Sequence, residues 1–170
     1  FTPASYTEGM IGKLQNIPGI TCGVWQSRPQ SRGYVRALSS HIKDAPLIQP
    51  NYLQETIDQD VLIQGVKICR DLLKTSNMKK ISIKETLPGE NVKTDSEILN
   101  FVKNNGATVY HAIGSCRMGI DKDAVVDADL KLNGVENLRV ADASIMPTMP
   151  SGNTNAATLM IAEKASDLIK

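Results

Sequence analysis

Through the first third of the chain, short apolar stretches are cut by Pro18-Gly19 and by Pro29-Gln30-Ser31-Arg32-Gly33, clusters that mark turns. Between them, residues 20–25 carry β-branched and aromatic side chains and predict a short strand. Residues 34–38 alternate weakly and predict a second strand. Pro46 and Pro50 then disfavour any regular element before Asn51-Tyr52-Leu53. A helical period follows: Leu62, Val66, Cys69 and Leu73 recur at i, i+4, i+7 and i+11 behind Thr56-x-x-Gln59, which has the form of a capping box. That stripe reads as core packing. Residues 81–83 suggest a short strand, and Leu87-Pro88-Gly89 a turn. Thr94-x-x-Glu97 opens a second helix through Ile98, Phe101 and Val102, closed by Asn104-Asn105-Gly106, residues that tolerate the left-handed conformation. For about 45 residues beyond, helix signals stop. Residues 125–126 and 138–141 predict short strands around an Asn133-Gly134 turn, and Pro147, Pro150 and Gly152 a stiff loop. Residues 156–169 predict a last helix whose first half is apolar all round, which implies burial. Ser151, Asn153, Thr154 and Asn155 stand at its start, where unpaired amides and the helix dipole favour an anion.

Composition narrows the class. With 170 residues, 41% hydrophobic and 22% charged, the chain is sized and balanced for one globular domain rather than disorder, collagen or coiled coil. Nineteen basic against eighteen acidic residues leave +1, no electrostatic draw toward nucleic acid or an anionic membrane. No apolar run approaches the roughly 20 residues of a bilayer span. Residues 1–5 lack the basic and apolar regions of a signal peptide, and the absence of an initiator Met suggests an excised piece of something longer. Cys22, Cys69 and Cys116 form no C-x-x-C pair, which disfavours a disulfide scaffold or zinc ribbon. Cys22 and Cys69 read as small buried hydrophobes. Such cysteine usage fits a reducing compartment and favours a cytoplasmic location.

The common catalytic signatures are missing. No G-x-G-x-x-G and no G-x-x-x-x-G-K-[ST] occurs, so the chain has no phosphate-binding fingerprint of its own. H-E-x-x-H and G-x-S-x-G are also absent. Asp121, Asp123, Asp127 and Asp129 lack an EF-hand glycine and closing Glu and read as solvated turn residues; no metal site is expected. Three residues remain as candidates. His111 is one of two histidines and precedes a turn running from Gly114 to Gly119. Asp142 stands at the carboxyl end of an apolar stretch, where α/β sheets meet ligands. Asn155 stands at the head of the last helix. On composition alone, residues of these types are more often structural.

Taken together, the segments Tyr110-His111-Ala112-Ile113-Gly114-Ser115-Cys116-Arg117-Met118-Gly119, Val125-Val126-Asp127, the run from Gly134 to Pro147, Pro150-Ser151-Gly152-Asn153-Thr154-Asn155-Ala156 and Met160-Ile161-Ala162-Glu163-Lys164 resemble the glucose–methanol–choline (GMC) family of flavin-dependent alcohol oxidoreductases. They are choline dehydrogenase-like in order and spacing. Pro29-x-Ser31-Arg32-Gly33 and Asn51-Tyr52-Leu53 extend the resemblance upstream. Ala112, Ser115, Ala128 and Ala157 depart mildly from the commoner family residues. Ser115 keeps a hydroxyl, and lost prolines loosen a loop without removing a reacting group.

The resemblance implies the carboxy-terminal part of a longer enzyme. Its fold would be mixed α/β (α+β). Residues 1–105 would belong to a substrate-binding domain. Residues 106–170 would supply the active-site segment and a strand and helix returning to a Rossmann-like FAD-binding domain whose amino-terminal region lies outside this chain. It further implies His111 as active-site base, with Asn155 beside it. Asp142, Ala143, Asn153, Thr154 and Asn155 would face FAD, and hydride would pass from an alcohol to flavin N5. The physics agrees: imidazole titrates near neutrality and can take a hydroxyl proton. No side chain accepts a hydride, so a cofactor must. Asn155 could donate to the developing alkoxide. The partners expected are a small alcohol, the amino-terminal flavin-binding region, and another copy of the chain at the open edge of residues 138–141. An FAD-containing non-redox lyase of the same fold, of the cyanohydrin-cleaving kind, and a non-catalytic fragment or binding module remain as alternatives.

Overall fold

The computed structural model describes residues 1–7, 10–82 and 84–169. The chain forms two compact units, residues 1–26 with 52–108, and residues 27–51 with 109–170. Secondary structure is mixed, with two two-stranded antiparallel sheets and three α-helices among the described residues.

In the first unit, β1 (Tyr6–Thr7) pairs with β2 (Met10–Leu14). Helix α1 runs Thr56–Leu73 and α2 runs Asp95–Asn105. Thr56 is itself helical; Glu55 takes the cap position without a side-chain cap bond, and Gln59 donates to the Leu53 carbonyl at 2.7 Å instead of closing a capping box. The second box forms as the sequence predicts. The Thr94 hydroxyl accepts from the Glu97 amide at 3.2 Å, and the Glu97 carboxylate accepts from the Thr94 amide at 2.8 Å. The Thr94 amide first, and then the Lys93 amide, hold the Glu97 pKa below its usual value. Gly106 closes α2 with φ −67°, so the expected left-handed cap is absent.

Along α1, Leu62, Val66, Cys69 and Leu73 are half-buried, while Ile63 and the charged Asp58 are buried. Residues 20–25 do not form the expected strand: only Thr21 makes a bridge, to Thr2. The stretch meets the helix through side chains instead, Val24 lying against Gly65 and Gln26 donating to Asp58 at 3.3 Å. Of the strand expected at 81–83, Ile81 lies in a turn, Ser82 has no regular structure, and Ile83 lies outside the described residues.

In the second unit, β3 (Tyr34–Arg36) pairs with β4 (Leu47–Gln49). The expectation that Pro46 and Pro50 exclude regular structure is corrected. They flank β4, immediately outside the ladder, where a missing N–H does no harm. The core is a cluster of Val126, Leu130, Ile145, Met146, Ile161 and Ala165. The last two come from helix α3 (Asn155–Ile169), the others from the irregular 113–146 segment.

Residues 125–126 and 138–141 are not strands. They make single bridges, Val126 with Met118 and Leu132, and Arg139 with Lys131. Left-handed residues at Leu130, Gly134 and Asn137 bend the chain before a ladder can extend. One side of 138–141 is partnered within the chain: Val140 N–H donates to Leu130 O at 3.1 Å, and Leu138 O accepts from Leu132 N–H at 2.9 Å. Nor is α3 buried all round. Ile161 and Ala165 are buried, whereas Leu159 and Met160 are each 61% exposed. No described helix is long and apolar enough to cross a membrane.

Candidate active site

His111 and the start of α3 meet in the second unit. His111 sits in a loop between two backbone constraints. Tyr110, immediately before it, holds φ 62°, and Gly114, after it, holds φ 81°. A side chain is costly in that left-handed region, and a Cβ on Gly114 would also lie 3.3 Å from the Met146 carbonyl. Glycine there lets the loop close onto the 3₁₀ turn Ala143–Ile145. The Cys116 amide donates to Ser144 O at 2.9 Å and the Met118 amide to Ile145 O at 2.8 Å. Arg117 forks onto Asp121 at 2.9 and 2.7 Å, holding that carboxyl well below its usual pKa.

The half-buried His111 ring places Nδ1 3.2 Å from the hydroxyl of Thr154. Thr154 is 9% exposed and directly precedes α3, and its carbonyl accepts both the amide and the hydroxyl of Thr158, each at 2.9 Å. Asn155, first residue of α3, is exposed, and its amide donates to the Asn153 carboxamide oxygen at 3.0 Å. Ser151, just upstream, is tied by its hydroxyl to the guanidinium of Arg28. Asp142 caps the 3₁₀ turn. Its carboxylate accepts from the Ser144 hydroxyl and, at 2.8 Å, from the Ser144 amide, which lowers its pKa. Ala143 is half-buried within that turn. His41 lies elsewhere, exposed in the 37–46 loop with Nδ1 3.7 Å from Asp44.

Thus Asp142 and Ala143 on one turn, and Asn153, Thr154 and Asn155 at the head of α3, hang on the same small core. The side-chain role of Thr154 was not legible beforehand, because its place before Asn155 suggests only a backbone contribution. The four aspartates that resemble metal ligands serve turns: Asp121 pairs with Arg117, and Asp127 accepts the amides of Asp129 and Lys131 at 2.9 Å each.

The donor chemistry at the head of α3, where the Ala156 and Ala157 amides follow the Asn155 amide that turns back to Asn153, suits the ring of a flavin. The first amides of α3 have no carbonyl ahead of them in the helix, and they adjoin exposed Asn155 and Ala156. The fit covers the ring only, because this sequence offers no Gly-rich turn for the pyrophosphate.

The chain is similar to several known proteins. An "Alcohol dehydrogenase [acceptor]" of Pseudomonas putida is 43% identical over 151 residues, 89% of this chain and 27% of that protein. An "Oxygen-dependent choline dehydrogenase" of Vibrio vulnificus is 42% identical over 153 residues, again 89% of this chain and 27% of the relative. Among solved structures, an FAD-dependent oxidoreductase from Chaetomium thermophilum matches with a TM-score of 0.77 and 31% identity, over 84% of this chain and 25% of that one. The chain therefore spans about a quarter of the length of the curated relatives it matches. The model of the GMC oxidoreductases, FAD-dependent enzymes, matches residues 29–162, which takes in both His111 and the head of α3, and the chain belongs to that family.

Proposed function

We propose that this chain is the part of a longer FAD-dependent enzyme that receives an alcohol and takes its hydroxyl proton. Residues 1–105 contribute to the substrate-binding domain. Residues 106–170 carry the active-site loop and then return a helix to a Rossmann-like flavin domain. The observation that carries the reading is the contact between His111 Nδ1 and the buried Thr154 hydroxyl. A neutral imidazole that spends Nδ1–H on an acceptor leaves the Nε2 lone pair as its base.

In this reading His111 Nε2 takes the hydroxyl proton of the substrate. Thr154 Oγ1 accepts from Nδ1–H and fixes the ring and its tautomer, as a positioning residue. Asn155, at the exposed start of α3, donates its side-chain N–H to the oxygen that gains charge. Asp142, Ala143 and the 153–155 backbone line the ring of the flavin, and the positive end of α3 favours the negative charge of its reduced form. Bound FAD supplies the acceptor for the hydride from the CH–OH carbon. The product is an aldehyde or ketone.

The test is anaerobic mixing of the full-length protein with primary alcohols, choline among them. Loss of oxidised-flavin absorbance with stoichiometric carbonyl product is the expected result. A flavin that stays oxidised while a cyanohydrin is cleaved would move the protein to the non-redox branch of the same fold.

A further inference from the structure

Cys22 and Cys69 are 47 positions apart in sequence, yet their Sγ atoms lie 2.7 Å apart as two free thiols. That separation follows from a register of three contacts. Cys22, Val24 and Gln26 share one face of an extended segment, because side chains alternate along such a backbone. Cys69, Gly65 and Asp58 share one face of α1, at helical spacing. Cys22 meets Cys69, Val24 meets Gly65, and Gln26 meets Asp58. Gly65 makes the approach possible: a Cβ there would stand 2.2 Å from Val24 Cγ1.

Both sulfurs ride on held backbone. Thr21, beside Cys22, exchanges two amide bonds with Thr2, at 2.8 and 2.9 Å, and its hydroxyl donates to Ala4 O at 2.7 Å. Arg70, beside Cys69, forks onto Glu85 at 3.0 and 2.7 Å and donates to Gly89 O at 3.1 Å. A disulfide needs about 2.05 Å between sulfurs, a short further approach from the 2.7 Å observed.

We infer that Cys22 and Cys69 form a peroxide-responsive dithiol that closes to a disulfide and clamps the 22–26 segment onto α1. The oxidant is a hydroperoxide. The Cys22 sulfur attacks the peroxide, an S–O bond forms as O–O breaks, and one water (or alcohol) leaves. The Cys69 sulfur then displaces the oxygen from Cys22, S–S forms as S–O breaks, and a second water leaves. Two electrons pass from the sulfur pair to the peroxide, and two thiol protons leave with the oxygens. Burial first, then the hydrogen bond and charge of Cys22, push the Cys69 thiol up to about 12. Cys69 is therefore a poor first nucleophile, since the thiolate is what attacks. It acts second, as the resolving thiol, because its sulfur already stands against that of Cys22.

The test uses the full-length protein, treated with hydrogen peroxide, denatured in iodoacetamide and digested with trypsin. The expected product joins residues 14–32 to residues 68–70. Cys116 is recovered alkylated, dithiothreitol added before the alkylation restores the Cys22 and Cys69 thiols, and the oxidised protein melts several degrees higher, because the bond closes a long loop. In a Cys69→Ser variant, dimedone is expected to label Cys22. Recovery of Cys22 and Cys69 as two alkylated thiols, or as separate sulfinic acids, overturns the proposal. A crosslink that runs through Cys116 overturns it as well.

Discussion

Replacing Thr154 by Val tests the imidazole-positioning contact directly. The two side chains have nearly the same shape, so the buried site, 9% exposed, stays filled. The carbonyl that accepts from Thr158 is backbone and is unchanged. What is lost is one hydrogen bond, Thr154 Oγ1 to His111 Nδ1 at 3.2 Å. A neutral bond of this kind contributes about 1 kcal/mol net, and one to a charged partner about 1.5–3 kcal/mol. The ring is neutral before proton transfer and charged as the proton arrives, so the transition state loses more than the ground state. A difference of about 1.4 kcal/mol corresponds to about tenfold in rate.

Thr154→Val in the full-length enzyme is therefore expected to lower the rate of flavin reduction about tenfold, with KM little changed and melting within a few degrees of wild type. Thr154→Ser keeps the oxygen and is expected to recover most of the rate. The assay is stopped-flow flavin reduction beside a thermal melt. A Val variant as fast as wild type, or Val and Ser variants equally slow, would refute the reasoning.

Other expectations follow from the same geometry. Ile161, 8% exposed in the core beneath α3, should cost about 2–5 kcal/mol of stability as Ala and about 0.5–1.5 as Val, read by denaturant unfolding. The depressed pKa of Asp142 contributes stability that is complete above the ordinary 3.8 and lost as pH falls through the folded value. Asp142→Asn should accordingly be less stable than wild type at neutral pH and converge on it as pH falls through the folded value of Asp142, which flattens the acid branch of the stability–pH curve; an unaltered acid branch would contradict this. Asn155→Ala should melt within a few degrees of wild type, since Asn153 already supplies an oxygen to the Asn155 amide. It should nevertheless reduce flavin about 10²-fold more slowly, with Asn155→His recovering part of the rate. An early-melting variant whose folded fraction turns over normally would make Asn155 structural.

Helices were the most legible elements, because their signals are local. Thr94 and Glu97 specify a helix start within four residues, and that box forms with both bonds in place. Thr56 and Gln59 present the same letters, yet the helix starts one residue earlier at a cap without a side-chain bond, and Gln59 turns to Leu53. Short strands misled because alternation describes a face and not a partner. Residues 20–25 use their faces against α1, while 125–126 and 138–141 are bent by Leu130, Gly134 and Asn137 into single bridges. Apolarity all round α3 overstated its burial here, for the face of Ala157, Ile161, Ala165 and Leu168 packs on the core while Leu159 and Met160 are exposed. Among the candidate site residues, His111 stood out in the sequence because histidine is scarce and its surroundings carry a family signature. The contact with Thr154 was not, since it depends on how a loop closes between Tyr110 and Gly114 onto a helix start far along the chain.

The most direct test of the account is the rate of anaerobic flavin reduction by an alcohol in the full-length enzyme, compared between His111→Ala and His41→Ala. Removal of a general base costs about 10²–10⁴-fold, and that loss is expected for His111→Ala with the flavin still bound. His41, exposed against Asp44, should be replaceable with no change in rate. Equal effects of the two substitutions, or a His111→Ala enzyme that reduces its flavin at the wild-type rate, would contradict the assignment of His111 as the base.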